Sequence, residues 1–149
     1  MIDAHTHAQS RRQLETALAF GITTQLDMLT LVQFADAMRA EQDSGKARSR
    51  ADLYSARVAV TVASGHGSQS FASPPSTLAS DNDVDAFIEA RVAEGADYIK
   101  LYVDDFSAYG RSRPTLSATM AAAVTRERCR LWRGSWRQTA HPNLHCGGA

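Results

Sequence analysis

Apolar and polar positions along the chain alternate between two periods, and the switches between them mark out the elements. The opening Ile2-Asp3-Ala4-His5-Thr6 alternates with period two, as a strand does. From Ser10 the spacing becomes helical: Leu14, Ala17 and Leu18 form a stripe to about Phe20, with Ser10 as cap and Gly21 as stop. "ITTQLDM" (22–28) is short and β-branched, and predicts a buried strand. Leu31, Phe34, Ala35 and Met38 return to the helical period, ending at Gly45, and the charged residues 46–52 make a surface connection. "LYSARVAVTVA" (53–63) is the third expected strand. A loop rich in Gly, Ser and Pro follows to about Ser80 and carries "SGHGSQ". Ser80 or Asp81 caps a third helix with Val84, Phe87, Ile88, Arg91 and Val92 at a 3.6 period. "GADYIKLYVDD" (95–105) reads as a glycine stop, a strand and an acidic strand end. "LSATMAAAVTRERC" (116–129) predicts a fourth helix, with Ser117 as a candidate cap.

The order β-α-β-α-β-α-β-α predicts an α/β protein with parallel strands and right-handed crossovers. About four β/α units are expected over residues 1–125, followed by an irregular C-terminal tail. In such units functional groups gather at the C-terminal ends of the strands. His5 and His7, Asp27, the loop holding His66, and Lys100 with Asp104 and Asp105 all fall at or just past those ends.

Composition adds one change to this picture. The 149 residues are 44% hydrophobic and 21% charged, an ordinary globular balance, and the formal net charge is zero. That balance excludes a global preference for nucleic acid or an anionic membrane. No apolar run approaches the roughly 18 residues of a membrane span. The N-terminus lacks the pattern of a signal peptide, and two cysteines make no disulfide framework. A soluble cytoplasmic protein is expected. The zero charge nevertheless conceals a split. Residues 1–125 hold 11 Lys/Arg against 15 Asp/Glu, whereas residues 126–149 hold five Arg against Glu127 alone. The same last stretch holds both tryptophans, both cysteines and two of the five histidines. It lacks a clear period, and is expected to be a basic tail that is frameshifted, non-native or disordered. A tail that binds single-stranded nucleic acid by stacking and phosphate contacts is a rival reading; nucleic acid is not the expected partner. Cys129, His141, His145 and Cys146 lack the Cys-x-x-Cys spacing of a zinc site.

The candidate chemistry begins at the N-terminus. On a regular strand Asp3, His5 and His7 line one face, and two imidazoles about 7 Å apart along the backbone can converge on one cation. Two exposed histidines on a frayed terminus are the competing account. "IDAHTHA", "FGITTQLDM" and "GADYIKLYVDD" together resemble, in order and rough spacing, the first half of the metal-dependent amidohydrolase superfamily, most of all its imidazolonepropionase-like members and related dipeptidases. The likeness covers about residues 2–124.

The resemblance implies a distorted TIM barrel with metals at its C-terminal mouth, of which this sequence would supply a partial TIM-type (β/α)8 barrel of about four β/α units. It implies that His5 and His7 bind a divalent ion, most often zinc, in a centre of one or two ions. Lys100 would be carboxylated by carbon dioxide and bridge two metals. The carbamate needs the neutral amine, scarce at an ordinary lysine pKa of about 10.4 and favoured by burial beside a metal. Asp3 would orient a histidine from behind, and His66 would reach the substrate from its loop, with a solvated loop histidine as the alternative. Asp104 and Asp105 are expected to be ordinary loop acids. The implied activity is hydrolysis of a carbon–nitrogen bond in a cyclic amide or dipeptide-like substrate, by metal-activated water.

The resemblance also implies two histidines and an aspartate from later strands, for which this sequence has no matching positions. The chain is therefore expected to be a truncated or frameshifted fragment, poorly active. The alternative is a non-catalytic metal- or ligand-binding half-barrel that forms a homo-oligomer through its open edges.

Overall fold

The computed structural model describes residues 1–69 and 77–136, with side chains as far as Arg128. Three strands, β1 (Ile2–Thr6), β2 (Thr24–Asp27) and β3 (Asp52–Ser55), pair in the order β1-β2-β3, all parallel. Helices α1 (Arg11–Ala19) and α2 (Val32–Asp43) connect them, as the alternating pattern predicts. β2 and β3 keep register from Thr24↔Asp52 to Asp27↔Ser55. β1 and β2 lose it between Asp3 and Thr6, so strict alternation is interrupted beside His5.

Local chemistry explains the helix boundaries. The Ser10 hydroxyl accepts from the Gln13 amide, and the Gln13 side chain reaches back to the Ser10 N–H, a reciprocal box that starts α1. Ser80 and Asp83 make the same exchange ahead of α3 (Val84–Ala93), through a 3-10 turn at Asp81–Asp83. Ser117 Oγ accepts from Met120 N at 3.0 Å at the start of α4 (Ala118–Trp136). That helix runs past residue 126, so the first part of the expected irregular tail is regular helix. Residues 137–149, with His141, His145 and Cys146, lie outside the described residues.

Two further expectations are corrected. Residues 53–63 do not form one strand: β3 ends at Ser55, and Arg57 takes a left-handed conformation at φ 58°. That turn redirects the chain, which then makes only isolated parallel bridges, Val60↔Leu101 and Val62↔Leu78. The expected fourth strand is correspondingly reduced to the contact at Leu101. Two hydrogen bonds hold it, Val60 N to Lys100 O at 2.7 Å and Tyr102 N to Val60 O at 3.0 Å. The described residues thus form a three-stranded parallel sheet with four α-helices, and the fourth β/α unit has its helix without a regular strand.

Two apolar clusters stabilise this arrangement. Ala8, Leu14, Met38 and Leu53 join the sheet to α1 and α2. Val60, Leu78, Val84, Phe87, Ile88, Leu116, Met120 and Val124 join the bridge segments to α3 and α4. The buried Arg50 adds a polar lock. It donates to Glu41 Oε2 at 3.0 Å and to the carbonyls of Met38 and Ala51, while Arg11 pairs with the same Glu41. The two guanidinium groups hold the Glu41 carboxyl below its ordinary range. Among the described residues, no helix is long and apolar enough to cross a membrane.

Candidate functional site

The candidate side chains fall into two groups, one at the end of β1 and one along the bridge segments. The first begins at the C-terminal end of β1. The His5 and His7 rings sit edge to face with centroids 5.7 Å apart, and both side chains are exposed. Asp3 Oδ1 accepts the backbone N–H of His5 at 3.2 Å, so its contact is with the main chain rather than with an imidazole.

Behind this pair lies Asp27, the last residue of β2 and 0% exposed. Its Oδ1 accepts the Ala8 N–H at 2.8 Å, and its Oδ2 accepts the Ser55 hydroxyl at 2.6 Å. One carboxylate therefore joins the segment after β1 to the end of β3. Burial pushes the Asp27 carboxyl above its ordinary value. The Ser55 and Ala8 hydrogen bonds and the charge of His7 pull the other way without cancelling it. The Tyr98 hydroxyl donates to the Asp27 carbonyl at 2.7 Å, and burial with the charges of Asp27 and Asp97 raises its phenol.

The second group runs along the bridge segments. Lys100 Nζ lies 5.4 Å from the centroid of the Tyr102 ring, within cation–π range. The Tyr102 ring also packs on the His66 imidazole, centroids 4.5 Å apart and planes tilted 31°. Burial, and after it the charge of Asp27, raises the Tyr102 phenol, which ties this group electrostatically to the first. His66 Nδ1 is 3.2 Å from Asp104 Oδ2, and the Phe106 ring meets the imidazole edge-on at 5.0 Å. Thr61 Oγ1 donates to the His66 carbonyl at 2.7 Å, fixing the loop from below. Gly67 is required beside it. It adopts φ +83°, and a Cβ there would stand 2.5 Å from Tyr102 Cε2.

The adjacent aspartates 104 and 105 do different work. Asp105 Oδ1 accepts the Ser107 N–H at 2.9 Å and holds the 3-10 turn Ser107–Tyr109; that bond keeps its carboxyl below the ordinary range. Asp104 faces His66.

The structure brings His5 to His7, and His66 to Tyr102 and thence to Lys100; no direct contact joins Lys100 to the histidine pair among the described side chains. The sequence gives Tyr102 no role, places Asp27 among the strand-end groups without a specific one, and makes Asp104 an ordinary loop acid. Asp27 is legible as the lone acid of an expected buried strand, at the end where such sheets keep their functional groups; its hydrogen-bond partners are not. Nothing in the sequence separates Asp104 from Asp105.

The donor chemistry partly fits the implied metal. His5 and His7 offer two adjacent imidazole rings, a ligand type that zinc takes. Among the described residues, no group of three or more His, Cys, Asp or Glu is placed to hold an ion. Asp27 is already committed to Ala8 and Ser55.

The fold is similar to that of two solved proteins. One is an amidohydrolase, with a TM-score of 0.64 and 17% identity, over 90% of this chain and 41% of that one. The other is a prolidase solved with N-methylphosphonate-L-proline, with a TM-score of 0.62 and 16% identity, over 87% of this chain and 40% of that one. The chain thus spans about two fifths of the length of either. No family model matches the chain, and no curated protein matches it in sequence. At these identities the likeness is one of fold: the chain is similar to part of an amidohydrolase fold.

Proposed function

We propose that the chain carries the metal-binding portion of a cytoplasmic hydrolase that cleaves carbon–nitrogen bonds in cyclic amide or dipeptide-like substrates. The observation that carries this reading is the His5–His7 ring pair at the end of a parallel strand, in a fold shared with an amidohydrolase and a prolidase. His5 and His7 would hold a divalent ion, zinc before others, and Lys100, carboxylated by carbon dioxide, would add an anionic ligand for one or two ions. Such an ion, when bound, supplies carbonyl polarisation and a lowered water pKa.

The chain's own residues do the positioning. Asp3 restrains the backbone that carries His5. Asp27 anchors the segment after His7 through the Ala8 amide. His66 offers a ring nitrogen to a polar atom of the substrate. The described donors are two imidazoles and one lysine, so turnover by this chain alone is expected to be slow. A second reading, a non-catalytic metal- or ligand-binding half-barrel that dimerises, is favoured by one observation: among the described residues β1 pairs on one side only, with Ile2 63% exposed.

Zinc binding by the purified chain is the test, measured calorimetrically beside the His5→Ala/His7→Ala double variant. Stoichiometric zinc lost in the variant supports the proposal; equal zinc uptake by both proteins overturns it. A panel of amide and proline-containing dipeptide substrates then separates the readings. Slow, chelator-sensitive hydrolysis favours the enzyme, and a zinc-loaded dimer without turnover favours the half-barrel.

A further inference from the structure

His66 is held more closely than a loop histidine in "SGHGSQ" needs to be. Tyr102 packs on its face at 4.5 Å, Phe106 meets its edge at 5.0 Å, and Thr61 ties down its carbonyl. The partner at Nδ1 is itself clamped. Asp104 Oδ1 accepts the Phe106 N–H at 2.9 Å, leaving Oδ2 for the imidazole, and the Asp104 N–H donates to Thr115 Oγ1 at 2.9 Å. Phe106 reaches this position in a left-handed conformation, φ 62°, which a residue with a Cβ rarely adopts. The two partner side chains remain 41% and 36% exposed, so the arrangement is open to solvent and to a ligand.

We propose that Asp104 is a positioning residue that sets the tautomer of His66. An ionised carboxylate has no proton to give, so the 3.2 Å contact requires His66 to carry its hydrogen on Nδ1. Nε2 is then the lone-pair nitrogen, and no hydrogen bond occupies it among the described residues. A neutral imidazole in this state accepts a proton or hydrogen bond through Nε2 and, once protonated, gives it back from the same atom. The consequence for hydrolysis rests on the function proposed above: Asp104 would fix which nitrogen of His66 meets the substrate. The tautomer itself does not depend on that reading.

Long-range 1H–15N spectra of the whole chain, recorded at about pH 8.5 and thus well above the ordinary histidine pKa of about 6.5, read the tautomer directly. In the unaltered protein His66 is expected as the Nδ1–H form. In Asp104→Asn the Phe106 N–H retains the amide oxygen, so the amide NH2 faces the ring and must donate to Nδ1. The protonated nitrogen should therefore switch to Nε2. In Asp104→Ala, which leaves Nδ1 without that acceptor, the Nδ1–H form should lose its dominance. An Nε2–H histidine in the unaltered protein overturns the proposal, as does an unchanged tautomer in folded Asp104→Asn. These spectra need neither zinc nor turnover, so their failure is separate from failure of the hydrolase reading, which the zinc titration decides.

Discussion

Residues 1–57 and residues 58–128 hold their candidate groups by different means. In the first region a parallel ladder of backbone hydrogen bonds, shifted in register only beside His5, fixes three strands, and Asp27 and Arg50 fasten the connections. The position of His5 and His7 is thus largely a property of the main chain. In the second region the backbone contributes isolated bridges at Val60 and Val62, and the remainder of the order comes from side chains on α3 and α4. His66, Lys100 and Tyr102 are placed by packing. A backbone ladder tolerates side-chain exchange so long as register is kept, whereas a packed cluster transmits the loss of one methyl group to its neighbours. The two halves of the site should therefore fail separately.

The largest test of that difference is Ile88→Ala. Ile88 is 0% exposed in the cluster that supports the bridges, and truncation should cost about 3 kcal/mol, within the 2–5 kcal/mol range for such deletions. Hydrogen exchange locates the loss. The amides of Val60 and Tyr102 should exchange faster, while those within β2 and β3 keep most of their protection. A uniform loss across both regions would show that they unfold as one unit, and would break the comparison.

A smaller change sharpens it. Gly67→Ala introduces a Cβ 2.5 Å from Tyr102 Cε2 at a residue with φ +83°, whereas Gly21 has nearly the same φ, +82°, and nothing within 4 Å. Gly21→Ala should cost about 1 kcal/mol, the conformational part alone. Gly67→Ala should cost about 2 kcal/mol, because the displaced Tyr102 ring adds an overpacking cost. Urea midpoints of the two variants measure the difference. Equal midpoints would mean that the ring yields freely and that His66 is not held by packing.

The same division decides how much was legible in the sequence. The first region announces itself: Leu14 and Ala17 on α1, Ala35 and Met38 on α2, and the Ser10 cap all follow local rules, and the structure buries or hydrogen-bonds them accordingly. From the junction of the two regions onward local pattern misleads. "LYSARVAVTVA" has the composition of one long strand, but nothing in its spacing signals the left-handed Arg57, whose buried guanidinium pairs with Asp36 on α2. Tertiary context, including that ion pair, accompanies the departure from β-propensity there. The strand-end rule places His66 and Asp104 on the functional face, yet their pairing joins residues 38 positions apart and leaves no local trace. Asp27 is intermediate. Its position is legible, but its burial depends on Ala8 and Ser55 arriving from two other segments.

Asp27 supplies the most delicate test, because its change alters a proton rather than a shape. Burial raises its pKa in the folded chain above the ordinary value of 3.8 that the unfolded chain approximates. As pH falls, the folded state therefore binds the proton first. Over the window from that raised value down to 3.8 the native state holds more protons than the unfolded state, so acidification favours folding through this group. The contribution is fully present below 3.8 and is lost as pH rises through the folded value. Asp27→Asn cannot titrate, and the Ser55 hydroxyl can accept from its amide, which keeps the shape of the junction. The stability of the unaltered chain relative to Asp27→Asn should then rise as pH falls through the window and level off below it. Paired urea denaturations in steps of half a pH unit measure this, with other titrating groups cancelling between the two proteins. A relative loss on acidification would instead mean that the hydrogen bonds from Ala8 and Ser55 outweigh burial. The junction of the three strands would then be stabilised by an ionised Asp27, and the ladder region would depend on a buried charge as closely as the second region depends on packing.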